Sequence, residues 1–151
     1  MFWLFKGIGM VLIMTVSAIA GFFYSSKILR QNEKIRLIYS GINRLAQRIR
    51  ISNFKATKLL KVSFSEDVLC FKGEDYFIDK SNLCDEDIYL FEEFLSDFGK
   101  SDSKSEYSRA IGYASLFENR YKEMKEKNGP LCSLYRKLGI LFGLFICVFL
   151  M

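Results

Sequence analysis

The chain has 151 residues, of which 50% are hydrophobic and 26% are charged. This composition is too apolar for a disordered protein and too charged for a transporter with many membrane spans. The net charge of +5 is modest, and no basic tract alternates with aromatic residues, which argues against nucleic acid as a partner. The length leaves room for one folded domain besides membrane anchors.

The first element is an apolar segment from Phe2 to Tyr24, in which Lys6 is the one charged residue. This length is close to that of a bilayer-spanning helix, so the segment is predicted to be transmembrane helix one. A cleaved signal peptide is the rival interpretation, because Ala18-Ile19-Ala20 has the small-x-small form of a cleavage site. The apolar residues that continue past this site to an interfacial tyrosine argue against cleavage.

Basic residues after the first segment determine the predicted topology. Between residues 27 and 50, Glu33 is the one acidic residue, whereas seven are basic: Lys27, Arg30, Lys34, Arg36, Arg44, Arg48 and Arg50. The positive-inside rule therefore predicts that the middle of the chain is cytoplasmic and that the N-terminus faces out. At the other end, Arg136 and Lys137 precede an uncharged run from Leu138 to Met151. This run predicts a second, short transmembrane helix with its end facing out.

Helical patterns occupy the first part of the region between the anchors. Apolar residues at spacings of three and four predict a helix from Glu33 to Arg50, with a stripe of Ile35, Ile38, Ile42, Leu45, Ala46 and Ile49. Ser52 or Asn53 is predicted to cap a following helix. The stretch from Glu66 to Leu83 is predicted to form short helices and turns, with a two-strand hairpin as the alternative.

Two further helices complete the middle domain. One is predicted to begin at Asp85, with acids in its first turn, and to end at Gly99 as its C-cap. Ser103 and Glu106 form a capping-box pattern, which predicts the start of the longest helix. Asn128-Gly129-Pro130 is predicted to break or kink the chain before the second anchor. The acidic run 85–87 is interpreted as a solvated helix face.

These elements predict an all-α fold: a membrane-anchored cytoplasmic helical bundle with an N-terminal and a C-terminal transmembrane helix. The predicted segments are 1–25 for the first membrane helix, 26–132 for the cytoplasmic domain and 133–151 for the second membrane helix. The protein is therefore expected to be a two-pass protein of the cell membrane.

The sequence nominates no catalytic group. The chain contains no histidine, the usual general base and metal ligand at neutral pH. Cys70, Cys84, Cys132 and Cys147 lack C-x-x-C spacing, so no metal site or cofactor is expected. In a cytoplasmic domain the first three are expected to be reduced thiols, with Cys147 in lipid. We expect neither an enzyme nor a small-molecule substrate.

A Gly139-x-x-x-Gly143 pattern lies on the second apolar segment. Such small-xxx-small spacing allows membrane helices to approach closely, which predicts helix pairing through these glycines. The alternative is that glycine is simply common in membrane helices.

Three stretches of the chain carry a family resemblance. They are Ser133 to Leu144 (SLYRKLGILFGL), Phe98 to Asp102 (FGKSD) before a long charged helix, and Lys6 to Gly9 with Gly21-Phe22 in the first anchor. Their order and spacing resemble stage III sporulation protein AB of endospore-forming bacteria. The chain departs from that pattern at two places. Residues Ile51 to Lys61 lack the turn, a small residue followed by Thr-Pro-Leu, that the family pattern has there. Gly129-Pro130 interrupts a helix that is usually more continuous in the family.

The resemblance implies an all-α cytoplasmic domain similar to that of the platform protein of type II secretion systems. It also implies membership of the stage III A complex, a secretion or feeding channel between mother cell and forespore, with the domain on the mother-cell side. The expected partners are a secretion-type ATPase and other stage III A membrane proteins. Lys100, Asp102 and Arg109 are the predicted contacts with the ATPase. The alternatives are an exported helical protein with a cleaved signal peptide and a C-terminal anchor, and a small pore-forming membrane protein.

Overall fold

The computed structural model describes residues 2–51, 55–73 and 75–150. It is 81% helical, which confirms the predicted all-α class. The elements are α1 (Phe2–Ile51), α2 (Ala56–Ser63), β1 (Leu69–Lys72), β2 (Asp75–Ile78), α3 (Asp85–Asp97) and α4 (Ser103–Leu150). The predicted cap at Ser52 or Asn53 lies outside the described residues.

The chain forms two compact units. One unit contains Met1–Arg30 and Met124–Met151, and the other contains Gln31–Glu123. We call the first the terminal unit and the second the middle unit. The predicted segments 1–25, 26–132 and 133–151 remain a prediction.

The core of the middle unit is built on the predicted apolar stripe of α1. Every member of that stripe is buried, because spacings of three and four place these side chains on one face of the helix. Phe91 of α3 lies in the same core, with its ring centroid 5.5 Å from that of Phe64 and 6.2 Å from that of Phe117. Phe64 also covers Gly41, where an added Cβ would come within 2.4 Å of its ring. A side chain at position 41 would therefore displace this aromatic cluster.

The stretch from Glu66 to Leu83 contains a β-hairpin, so the prediction of short helices and turns was wrong and its alternative is right. Strands β1 and β2 pair antiparallel, with Leu69 opposite Ile78 and Lys72 opposite Asp75. The chain turns at Gly73, whose φ of +73° is in the region that favours glycine. Val68 and Leu69 are fully buried. Strands of four residues leave too short an alternation for sequence analysis to identify.

The start of α4 is capped by Asp102 and not by Ser103 as the capping-box pattern predicted. The Asp102 carboxylate accepts a hydrogen bond of 3.3 Å from the Ser105 N–H. The Ser103 hydroxyl instead donates to the Ile49 carbonyl at 3.2 Å. This tertiary bond draws the predicted capping side chain away from the helix end. The predicted end of α3 is confirmed, because Gly99 follows the last helical turn with a φ of +89°.

Helix α4 passes through Pro130 without a break, so of the predicted break or kink at 128–130 the break was wrong, and the kink stays a prediction. Proline cannot donate a hydrogen bond to the carbonyl four residues earlier, which here belongs to Glu126. Both residues are exposed, so water can bind that carbonyl and the helix loses only one bond.

Two helical stretches among the described residues are long and apolar enough to cross a membrane. They lie within Val11–Ile51 and Ser103–Ile146, with hydropathy values of 1.6 and 1.3. Both lengths exceed the roughly 20 residues that a bilayer requires. The helices are therefore compatible with a two-pass membrane protein, whereas the sidedness of the middle unit remains a prediction.

Candidate interaction sites in the two units

The connection between α3 and α4 forms the first candidate site, which we call the corner (residues 97–109). The carboxylate of Glu106 organises it by accepting hydrogen bonds from the N–H groups of Gly99 at 3.0 Å and Ser101 at 3.1 Å. An added Cβ at Gly99 would lie 3.1 Å from the Cβ of Ala56. The short connection is therefore fixed both by hydrogen bonds and by close packing.

Arg109 closes the corner from α4. Its Nη2 donates to the Asp97 carbonyl at 2.6 Å and to Glu106 Oε1 at 2.7 Å. The side chain of Glu106 is only 6% exposed and that of Arg109 is 27% exposed. Arg109 was predicted to contact a partner, which stays a prediction; in the structure it joins the end of α3 to the first turns of α4.

Lys100 and Asp102 lie on the outer surface of the same corner. The Lys100 ammonium is 3.2 Å from a carboxylate oxygen of Asp97, and its side chain remains largely exposed. The hydroxyl and N–H of Ser105 lower the pKa of Asp102, so this group stays ionised. The corner thus brings the three predicted contact residues together, with a cation and an anion presented to solvent from a fixed backbone.

Sequence analysis missed a link between α3 and α4 in the middle unit. Arg120 pairs with Asp87 and Glu86, and the Cys84 thiol donates to Asp87 at 2.8 Å. Burial and the hydrogen bond to Asp87 raise the pKa of the Cys84 thiol. Asp87 is only 2% exposed, so interpreting the acidic run as fully solvated was wrong for this residue. No local pattern indicates a pair separated by 33 positions.

The two helices of the terminal unit meet through small residues. An added Cβ at Gly139 would lie 3.0 Å from the Ser17 carbonyl oxygen and 3.2 Å from the Cα of Gly21. At Gly143 it would lie 3.3 Å from the Cβ of Ser17. The structure thus places both predicted glycines where α4 approaches α1 within this chain.

The matching surface of α1 has the repeated spacing Ser17, Gly21 and Ser25, which sequence analysis did not use. The Ser17 hydroxyl donates to the Gly139 carbonyl at 2.6 Å. Ser25 is fully buried, where its carbonyl accepts a bond from the Cys132 thiol at 3.7 Å. Small residues at every fourth position are the usual signal of close helix packing in membranes, and they could have identified this face.

Side chains suited to metal binding do not converge in the described part of the chain. No group of three or more Cys, Asp or Glu is found there that could hold a metal ion. Cys70, Cys84 and Cys132 are free thiols. The arrangements that the structure does contain are suited to protein contact and to helix packing.

One family of known proteins matches the chain. The model of the family described as stage III sporulation protein AB matches residues 73–151, which include β2, α3, the corner and α4. Neither the comparison with curated proteins nor the comparison with solved structures gave a match.

Proposed function

Because this chain belongs to the stage III sporulation protein AB family, we propose that it is a non-enzymatic membrane component of the stage III A complex. In this proposal, its middle unit docks a cytoplasmic secretion-type ATPase, beside other stage III A membrane proteins, at a channel between mother cell and forespore. The observation that carries the proposal is that the family match includes both the corner and the second apolar helix.

The geometry of the corner supports docking. Lys100 and Asp102 are exposed, and the backbone between them is fixed by the carboxylate of Glu106. A surface that is already ordered loses little conformational entropy when a partner binds. Opposite charges on such a surface favour one orientation of a charged partner over others.

A non-enzymatic role agrees with the residue types of the chain. With no histidine, the chain lacks the group that most often transfers protons at neutral pH. The energy for any transport step would then come from the docked ATPase, and this protein would act through its surface and its membrane helices.

The first test concerns topology. Single cysteines are introduced near the N-terminus and at the exposed Ser115 of α4, in a variant with the native cysteines replaced. A membrane-impermeant maleimide is then applied to intact cells. Labelling near the N-terminus but not at position 115 is expected, because docking requires a cytoplasmic middle unit. Labelling at position 115 would contradict docking and favour an exported protein.

The second test concerns the corner. Lys100→Glu in the full chain is expected to weaken co-purification of the stage III A ATPase from detergent-solubilised membranes by about fivefold, since one charge contact contributes on the order of 1 kcal/mol. Lys72→Glu is the matched control, because it reverses an exposed charge of the same unit on β1. Equal co-purification of both variants and the unmodified chain would exclude Lys100 from the contact.

A further inference from the structure

A cleft opens beside the helix pair of the terminal unit. Its volume is about 390 Å³, and it is lined by Ala18, Ile19, Phe22, Arg136 and Ile140. Four of these side chains are apolar, whereas Arg136 carries a charge. Both helices are apolar enough to cross a membrane, so the apolar walls of the cleft would face lipid chains.

Arg136 is held in a fixed position at this cleft. Its Nε donates to the hydroxyl of the buried Ser25 at 3.2 Å, and its guanidinium carbon lies 5.4 Å from the centroid of the Phe22 ring. Among the described residues, no hydrogen-bond or ion-pair partner engages its two terminal nitrogens. A guanidinium oriented in this way can bind two phosphate oxygens at once.

The register of the helix pair places Arg136 where both helices change from charged to apolar. The Tyr24 and Tyr135 rings lie 4.7 Å apart at this level, and tyrosines are enriched at membrane interfaces. Lys27 follows on α1 and Lys137 is adjacent on α4. Ile140 lies one turn further into the apolar segment. With both helices across a membrane, the cation would therefore lie at the level of lipid headgroups, and the apolar cleft would extend towards the hydrocarbon.

The charge of the terminal unit favours an anion at this place. Residues 1–30 contain no Asp or Glu, and Glu126 is the one acidic residue in 124–151. Basic pockets beside transmembrane helices, near the membrane surface, bind anionic lipid headgroups. We propose that this cleft binds one anionic phospholipid, with its phosphate on the terminal nitrogens of Arg136 and part of an acyl chain along Phe22 and Ile140.

This inference requires that the two helices cross a membrane, and it does not depend on docking of an ATPase. A loss of ATPase binding in the corner variant and a loss of lipid binding here are therefore separate outcomes. Because the proposed ligand is a lipid, competition by a soluble anion, inorganic phosphate, is tested as well.

The test is native mass spectrometry of the full chain in detergent, with added phosphatidylglycerol or phosphatidylcholine. We expect preferential retention of phosphatidylglycerol, and a fall of about fivefold in Arg136→Gln, the effect of one charge at a membrane surface. Lys137→Gln removes the same charge one residue away and is expected to cause a smaller fall. Ile140→Trp should also reduce retention, because it fills the cleft while Arg136 stays in place. Leu141→Trp adds the same side chain outside the cleft and serves as its control.

Three results would overturn the proposal. The first is an equal fall in Arg136→Gln and Lys137→Gln, which would indicate general electrostatic attraction. The second is equal retention in Ile140→Trp and Leu141→Trp, which would exclude the cleft. The third is displacement of phosphatidylglycerol by millimolar inorganic phosphate, which would indicate a site for soluble anions. Circular dichroism of each variant verifies that the helices are intact, and Ile140→Trp keeps the proposal testable if Arg136→Gln misfolds.

Discussion

The guanidinium of Arg120 on α4 binds the buried carboxylate of Asp87 on α3, with Nε 3.1 Å from Oδ1. Glu86 binds the same guanidinium from the exposed side, and the hydrogen bonds that Arg120 donates to Glu86 and Asp87 raise its pKa above the ordinary value. A buried carboxylate without a partner is costly. The pair therefore fixes the packing of α3 on α4 in the unit that contains the corner.

Removing Arg120 is expected to destabilise the middle unit more than removing its exposed partner, Glu86. Arg120→Ala should lower the free energy of unfolding by about 2 to 3 kcal/mol, because it leaves the buried charge of Asp87 without its cationic partner. Glu86→Gln should cost less than about 1 kcal/mol, because Glu86 is largely exposed. Urea unfolding of the full chain in detergent, followed by near-ultraviolet circular dichroism, measures both. Equal losses of unfolding free energy in the two variants would show that the buried charge of Asp87 does not depend on Arg120.

A pH dependence is expected from the pair of Lys34 and Asp79, whose charged atoms are 2.5 Å apart. The ammonium of Lys34, aided by Ser81, lowers the pKa of Asp79 from 3.8 to about 2. The pair therefore stabilises the fold fully above pH 3.8, and this contribution is lost as the pH falls towards 2. It should amount to about 1 kcal/mol or less, because Asp79 is partly exposed.

Asp79→Asn is expected to abolish the part of the pH dependence of the unfolding free energy that comes from the pair. Asp75→Asn, which changes an exposed acid of the same hairpin, should retain it. Urea unfolding at several pH values between 2 and 5 distinguishes the two variants. An unchanged acid profile in Asp79→Asn would show that other carboxylates dominate.

Glu106 is expected to be the most sensitive position of the corner. Glu106→Ala removes the acceptor of two backbone N–H groups and the partner of Arg109. The free energy of unfolding should fall by about 2 to 3 kcal/mol, since buried groups lose their hydrogen bonds. Glu118→Ala removes a partly exposed acid of the same helix and is the control, with an expected loss below about 1 kcal/mol. Similar unfolding midpoints for the two variants would show that Glu106 does not order the corner.

Close packing of the two apolar helices of the terminal unit is expected to depend on Gly21. The Cβ of Ser17 lies 3.3 Å from the position that a Cβ at Gly143 would take, just below the roughly 3.5 to 4.5 Å that separates the Cβ atoms of a disulfide. Ser17→Cys with Gly143→Cys, in a variant without the native cysteines, should therefore form a crosslink in membranes. Adding Gly21→Leu should reduce the yield, because a Cβ there would lie 2.8 Å from the Tyr135 carbonyl oxygen.

Gly9→Leu is the matched control for this crosslink, because a Cβ at Gly9 meets no atom within 4 Å. The yield should be unchanged in that variant. Equal reductions in both variants, measured by gel mobility without reductant, would show that added volume anywhere on α1 disturbs the pair.

Much of the fold could be predicted because its signals are local. The buried stripe from Ile35 to Ile49 follows from helical periodicity, and the end of α3 follows from Gly99. The hairpin could not be assigned in the same way, because its strands have four residues each and Gly73 is not part of a common hairpin dipeptide. The start of α4 at Ser103 agrees with the prediction, but the capping side chain is that of Asp102, because the hydroxyl of Ser103 bonds to Ile49 in another element.

The candidate sites also combine features that the sequence predicts with features that depend on tertiary packing. The charged residues Lys100, Asp102 and Arg109 were selected from the sequence, and their spacing already placed them near one helix start. Sequence could not show that Arg109 is partly buried on Glu106 while the other two face solvent. It also gave no indication that Arg120 pairs with Asp87, since that contact depends on how two helices pack.

Periodicity and composition in the sequence predicted the helical class and the two apolar segments, because these signals depend on neighbouring residues, whereas the family followed from the resemblance of motifs and from the family match. Tertiary packing sets which small residues face one another, buries Asp87 against Arg120 and places Arg136 beside Ser25. Those relationships join residues separated by 33 positions or more. Only packing of the folded chain brings such residues together, and no local pattern encodes the distance between them.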